Sequence, residues 1–171
     1  MNQLELLEGA LCQHQALWEI ISSFDDIGLP DCWLVAGAVA QTIWNDLLGR
    51  PAGAGVKDVD IVYFDASDLS PEAEAREEVR LRSRFARLNL KLDIKNEARV
   101  HLWYQKKFGY PISPYRSTAA AIATFPTTAT SIGVRWCGGR LECCAPYGLD
   151  DLFSLTVRPN KVQITSAIYE A

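Results

Sequence analysis

Asp58-Val59-Asp60 sets two carboxylates two residues apart in the run DVDIVYFD, residues 58–65. On a β-strand, residues i and i+2 face the same way, about 6–7 Å apart. Asp58 and Asp60 would therefore share one face while Val59, Ile61 and Tyr63 take the other. Like charges held that close raise each other's pKa and cost stability, and a divalent cation removes the cost. Mg²⁺ prefers oxygen ligands, a few carboxylates and a substrate phosphate. A third acid, Asp93, stands on the polar side of a second alternating run, NLKLDIK, in which Leu90, Leu92 and Ile94 oppose Lys91, Asp93 and Lys95. If the two strands pair, three acids could hold two Mg²⁺ (or Mn²⁺) ions about 3.5–4 Å apart. One would lower the pKa of an attacking hydroxyl and the other would screen a leaving pyrophosphate. Lys91 and Lys95 flank Asp93 as candidate phosphate contacts. Gly37-Ala38, followed by Gln41 and Asn45, adds a strand-to-helix turn. There free N–H groups and the helix dipole favour an anion, and glycine allows close backbone approach. Each feature alone is common on solvated surfaces; their order and spacing make the signal.

The elements that must position these residues are legible from periodicity. Leu4, Leu7, Leu11, Trp18 and Ile21 recur at helical spacing over residues 3–24, predicting one long helix that Gly28 and Pro30 end. Residues 32–36 predict a short strand, 38–48 a helix, and 58–65 and 89–95 strands. Between the last two, Ser70 as N-cap, Pro71 at the first helical position and early acids predict a charged, solvated helix. Helices are expected over 97–108, 117–124 and 149–155. Gly138-Gly139 between two apolar runs predicts a β-hairpin. The pattern is α+β, a mixed sheet backed by helices, in a single domain spanning 1–171.

Composition excludes several classes. The chain has 171 residues, 49% hydrophobic and 22% charged, which is a folding composition rather than a disordered one. A net charge of −4 argues against a duplex-DNA binder. The longest apolar run, CWLVAGAVA, falls well short of the about 20 residues that span a membrane. The N-terminus lacks a basic segment and an apolar run of signal type, so a cytoplasmic location is expected. Five cysteines without C-x-x-C spacing and only two histidines do not suggest a zinc site; the cysteines read as reduced, mostly buried residues. Arg99 and His101 read first as surface or capping groups, with a role near neutral pH the sharper alternative. Thr127, Thr128 and Thr130 read as a turn bonding its own backbone, Asp150 and Asp151 as helix-start acids. Trp33, Trp44, Trp103 and Trp136 read as core, with one of them open as a stacking platform.

Three stretches carry a family resemblance: LVAGAVAQTIWNDLLG with KDVDIVYFD; LDIKNEARVHLWYQKKFG; and FPTTATSIGVR with APYGLDDLF and RPN. They resemble a small bacterial nucleotidyltransferase-like family of the DNA polymerase β-like nucleotidyltransferase superfamily. The resemblance implies a nucleotidyltransferase-type mixed sheet and a metal-dependent transfer of a nucleoside monophosphate. The donor would be an NTP, with ATP the first expectation, and the acceptor an unidentified hydroxyl. It implies Asp58, Asp60 and Asp93 as catalytic metal ligands, Asp93 also helping to deprotonate the hydroxyl. Gly37, Ala38 and Gln41 would form the nucleotide-binding turn. Many members of the superfamily carry Ser where this chain has Ala38. That departure supports a second reading, a catalytically weak or inactive nucleotide- or protein-binding module of the same fold. A phosphohydrolase using the same acids is a third. The resemblance also implies that related chains continue past residue 171 with a basic, Trp-containing tail.

Overall fold

The computed structural model describes residues 1–163. The N-terminal helical region is three helices rather than one: α1 (Gln3–Gln13), α2 (Gln15–Ser22) and α3 (Phe24–Ile27). Asn2 and Glu5 form a reciprocal capping box at the start of α1. The single helix expected over 3–24 is broken at His14. Its backbone leaves helical values there, and its buried Nδ1 accepts the Leu17 N–H at 3.2 Å, restarting the chain as α2. Gly28, at φ +75°, ends α3 in the left-handed conformation that glycine adopts without strain.

Strand β1 (Trp33–Val35) then enters the sheet, and α4 (Gly37–Leu47) leaves it at once. The Gly- and Pro-rich loop that follows is pinned by buried Asn45. Its amide donates to the Ala52 carbonyl at 3.0 Å and the Ala54 carbonyl at 2.8 Å. Strand β2 (Asp58–Tyr63) leads to α5 (Pro71–Arg84), with Ser70 capping it, acids in its first turn and Arg82 and Arg84 in its last. Strand β3 (Lys91–Asn96) runs into a 3₁₀ turn, Glu97–Arg99, and then α6 (Val100–Phe108). After α7 (Thr118–Ile122) come β4 (Gly133–Cys137), β5 (Arg140–Cys144) and α8 (Asp150–Phe153). Gly138 and Gly139 both have positive φ, as the predicted tight hairpin between β4 and β5 requires.

The five strands form one sheet in the order β3-β2-β1-β4-β5. Among the described residues only β2 and β3 pair in parallel, joined by the α5 crossover; the other strand pairs are antiparallel. Alternation gives the sheet two unlike faces. Leu34, Val59, Ile61, Tyr63, Leu92, Ile94 and Val134 face a large core with Leu7, Leu11, Leu17, Ile20 and Ile21 of the first helices and Leu81 of α5. The opposite face carries a small cluster, Trp33, Val35, Val62 and Ile122, and then opens. Among the described residues, no helix is long and apolar enough to cross a membrane. None of the cysteines is paired, and only Cys32 is fully buried.

Candidate active site

The open face of the sheet forms one wall of a cavity of about 530 Å³, within the size range of ordinary small-molecule sites. Val35, Ala36, Asp60, Val62, Asp93 and Lys95 line it from the strands. Glu97, Trp103, Tyr104, Lys107, Phe108 and Tyr115 line it from the segment after β3, and Phe125 and Thr130 close another side.

Parallel pairing puts Asp60 directly opposite Asp93, and Asp58 opposite Lys91. Asp60 and Asp93 therefore sit side by side on the open face, one strand spacing apart. The Asp60 carboxyl is held above the usual carboxylate range, first by burial and then by the charges of Asp93 and Asp58; Lys95 opposes the shift. Lys95 Nζ lies 3.5 Å from Asp93 Oδ1. Asp58 is exposed at the start of β2 and does not line the cavity. Among the described residues, no three His, Cys, Asp or Glu side chains come close enough together to hold a metal ion. The donor set still fits a hard divalent cation, since Mg²⁺ commonly takes one or two protein carboxylates and completes its shell with water and phosphate. Asp60 and Asp93 are the pair that could hold it.

Position 36 joins β1 to α4 at the cavity wall. Ala36 has φ +61° and ψ −129°, a conformation that only glycine adopts readily. Its N–H donates to the Ile132 carbonyl at 3.0 Å, and its carbonyl accepts the Ala40 N–H at 3.1 Å. The N–H groups of Gly37, Ala38 and Val39 precede that first helical bond, so they are the unpaired donors of a helix start. Gly37 is exposed, whereas the Ala38 side chain is 4% exposed and packs into the large core. The methyl at 38 therefore faces away from the cavity, and position 38 offers it backbone alone. Gln41 does not line the cavity; its amide donates to Asn45 Oδ1 at 2.9 Å and so supports the residue that pins the glycine loop. Lys95 lines the cavity, and Lys91, exposed at the far end of β3, does not.

Glu97 escaped sequence reasoning. It is 7% exposed, lines the cavity, and its carboxyl makes no hydrogen bond to any described residue. Burial pushes it up to about 8, with the charges of Glu74 and Asp60 adding to the effect and Lys95 opposing it. The turn that aims it is built from buried polar contacts. Asn96 Oδ1 accepts the N–H groups of Asp65 and Ala98, and its amide donates to the Asp65 carbonyl. Glu74 of α5 accepts the Asn96 N–H at 2.8 Å and pairs with Arg99 at 3.1 Å, both side chains largely buried. Arg99 is thus a structural partner of Glu74 rather than a group facing substrate. The only sequence signal for Glu97 was its place four residues after Asp93. Lys107 was missed too; its Nζ sits 5.6 Å from the centre of the Trp103 ring.

The remaining candidates fall out as follows. Trp33 is buried, and Trp44 and Trp136 pack half-buried against the large core, but Trp103 lines the cavity. Thr127 and Thr130 bond each other within a turn, and Thr128 donates to Asp151 at 2.6 Å. Asp151 also pairs with Arg158, so it ties the loop to the chain's later segment. His101 Nδ1 is buried without a partner among the described residues.

A five-stranded mixed sheet with paired acids on β2 and β3, beside the start of a helix that leaves β1, is the polymerase β-like nucleotidyltransferase fold. A solved structure described as "The NMR structure of the protein reveals a CCA-adding enzyme head domain" superposes with a TM-score of 0.76 at 29% identity, covering 93% of this chain and 79% of that one. The nucleotidyltransferase family model matches residues 22–171, and the chain belongs to that family. Comparison with curated proteins finds no match. Family and fold together support nucleotidyl transfer as the general activity.

Proposed function

We propose that this chain transfers a nucleoside monophosphate from an NTP to a hydroxyl acceptor, with Asp60 and Asp93 as the central carboxylates. The observation that carries this reading is their register pairing on the open sheet face, at the wall of a cavity that also meets the start of α4. Asp60 and Asp93 would hold a divalent cation, with Asp58 as a further ligand if a second is bound. When bound, the cation neutralises phosphate charge and lowers the pKa of the attacking hydroxyl. Asp93 accepts the proton of that hydroxyl, whose oxygen bonds to the α-phosphorus as the bond to the pyrophosphate oxygen breaks. The N–H groups of Gly37 and Ala38 receive the phosphate chain, and Lys95 offsets its charge. Gln41 acts through Asn45 by holding the neighbouring loop. ATP is the first donor to try beside the other three NTPs, and the acceptor of a CCA-adding enzyme is the first hydroxyl to test, given the similarity to a CCA-adding enzyme head domain.

The test is a screen of four NTPs with Mg²⁺ or Mn²⁺ against varied hydroxyl acceptors, run beside Asp60→Asn and Asp93→Asn. Product that requires both carboxylates supports the proposal. A non-catalytic nucleotide-binding module is the second reading, favoured by the exposed position of Asp58 outside the cavity. Nucleotide binding without any carboxylate-dependent product would select it.

A further inference from the structure

Glu97 is 7% exposed, lines the cavity and makes no hydrogen bond to another described residue, so its carboxyl is placed to meet a ligand there. Trp103, Tyr104, Phe108, Tyr115 and Phe125 line the same cavity and make its far part aromatic. Tyr104 is already engaged: its ring lies 4.5 Å from that of Phe108, and its hydroxyl bonds Tyr110 at 3.0 Å. Trp103 is half-buried and lines the cavity, with Lys107 Nζ, also at the cavity wall, over its ring. Flat aromatic rings stack on such side chains with little regard to sequence; a hydrogen-bonding group beside them adds the selectivity.

We infer that this aromatic compartment is the base subsite of the nucleotide and that Glu97 reads guanine through its two adjacent donors, the ring N1–H and the 2-amino group. The inference rests on the proposed nucleotide site. The chemistry singles out guanine as follows. An ionised carboxylate is acceptor-only, with two oxygens. Guanine alone among the common bases offers it two neighbouring donors on the pairing edge. Adenine sets a ring-nitrogen lone pair beside its single amino donor, and uracil sets a carbonyl beside its N–H, so each brings one repulsive contact to a carboxylate. A protonated carboxyl carries a donor and an acceptor and pairs with any of these bases, so it cannot select against guanine. Guanine therefore matches Glu97 in either state and is the only base that satisfies it fully when charged. Bonds of this charge-assisted, bidentate kind are the strong ones.

The test needs no variant at first. The 171-residue chain is titrated at pH 8.5, where Glu97, raised to about 8, is mostly ionised, with GTP and with ITP, which lacks only the 2-amino group, in Mg²⁺, following Trp fluorescence and calorimetry. GTP is expected to bind roughly 10- to 100-fold tighter than ITP, the worth of a hydrogen bond to a charged group. Glu97→Gln replaces one acceptor by a donor at constant shape. It should erase the GTP-to-ITP ratio and shift preference toward ATP or UTP. Equal binding of GTP and ITP by the unaltered protein overturns the inference while the nucleotide site stands. An unchanged ratio in a folded Glu97→Gln variant overturns it equally. If no NTP binds with Mg²⁺, the nucleotide reading of the site fails and the base assignment falls with it.

Discussion

Asp60 and Glu97 are carboxyls that the fold holds at a cost, and each cost has a measurable sign. The folded chain keeps the Asp60 pKa raised through burial and the nearby charges of Asp93 and Asp58. Its charge therefore opposes folding at neutral pH, and the penalty fades as pH falls through the raised value. Under the proposed role of Asp60 as a cation ligand, Asp60→Asn should lose transfer activity at least about 100-fold, because several kcal/mol of transition-state charge stabilisation would go with it. The same variant should melt about 1–3 °C higher without metal, allowing for residual exposure. Differential scanning calorimetry and initial rates read the two effects separately. For Glu97 the window is wider. Unfolded, it ionises near 4.5; folded, it keeps its proton to about 8, facing Glu74 and Asp60 with Lys95 in opposition. Stability should fall as pH rises between those values, by up to about 1.4 kcal/mol per pH unit, and level off above. Urea unfolding across pH 5–9 should show that slope, and Glu97→Gln should flatten it.

At the scale of elements, the site depends on two junctions. The first is the end of β3, where Glu74 reaches from α5 to hold both the Asn96 N–H and Arg99. Glu74→Ala would leave Arg99 buried and unpaired, which costs about 3–5 kcal/mol in comparable pairs; equilibrium unfolding should show a loss of that order. The second is Ala36 between β1 and α4. A non-glycine residue at φ +61° and ψ −129° stores about 1–3 kcal/mol of backbone strain. Ala36→Gly should therefore stabilise the chain, by about 1 kcal/mol after glycine's greater unfolded-state entropy is subtracted, seen as a higher melting temperature. The individual elements were largely legible. Alternation in residues 58–63 and 91–96, the Ser70 cap with Pro71, and the paired glycines of the hairpin are local signals, and the strands and helices formed there. The break at His14 was not legible, because periodicity alone cannot see a side chain replacing a helical hydrogen bond.

For the whole molecule, the sheet divides labour between its faces: one is sealed by helices, and the other is left open around charged groups. That arrangement predicts that divalent metal stabilises the folded state alone. Mg²⁺ at about 100 times its dissociation constant should add about 2.7 kcal/mol, and the gain should vanish in Asp60→Asn and in Asp93→Asn; thermal shift with and without chelator reads it. The sequence by itself determined which residues alternate toward a core, where the Ser70-capped helix starts, that Asp58 and Asp60 point the same way from one strand, and that Asp93 stands on the polar side of another, because these depend on periodicity and local bonding. Only the tertiary structure decided that β2 and β3 are parallel neighbours in a register that sets Asp60 against Asp93 and leaves Asp58 at the rim. It alone turned the Ala38 side chain into the core, paired Arg99 with Glu74, and brought Glu97 and Trp103 into one cavity. The reason is physical: strand partners, burial and the lining of a cavity are properties of contacts between residues far apart in the chain, and no local pattern encodes them.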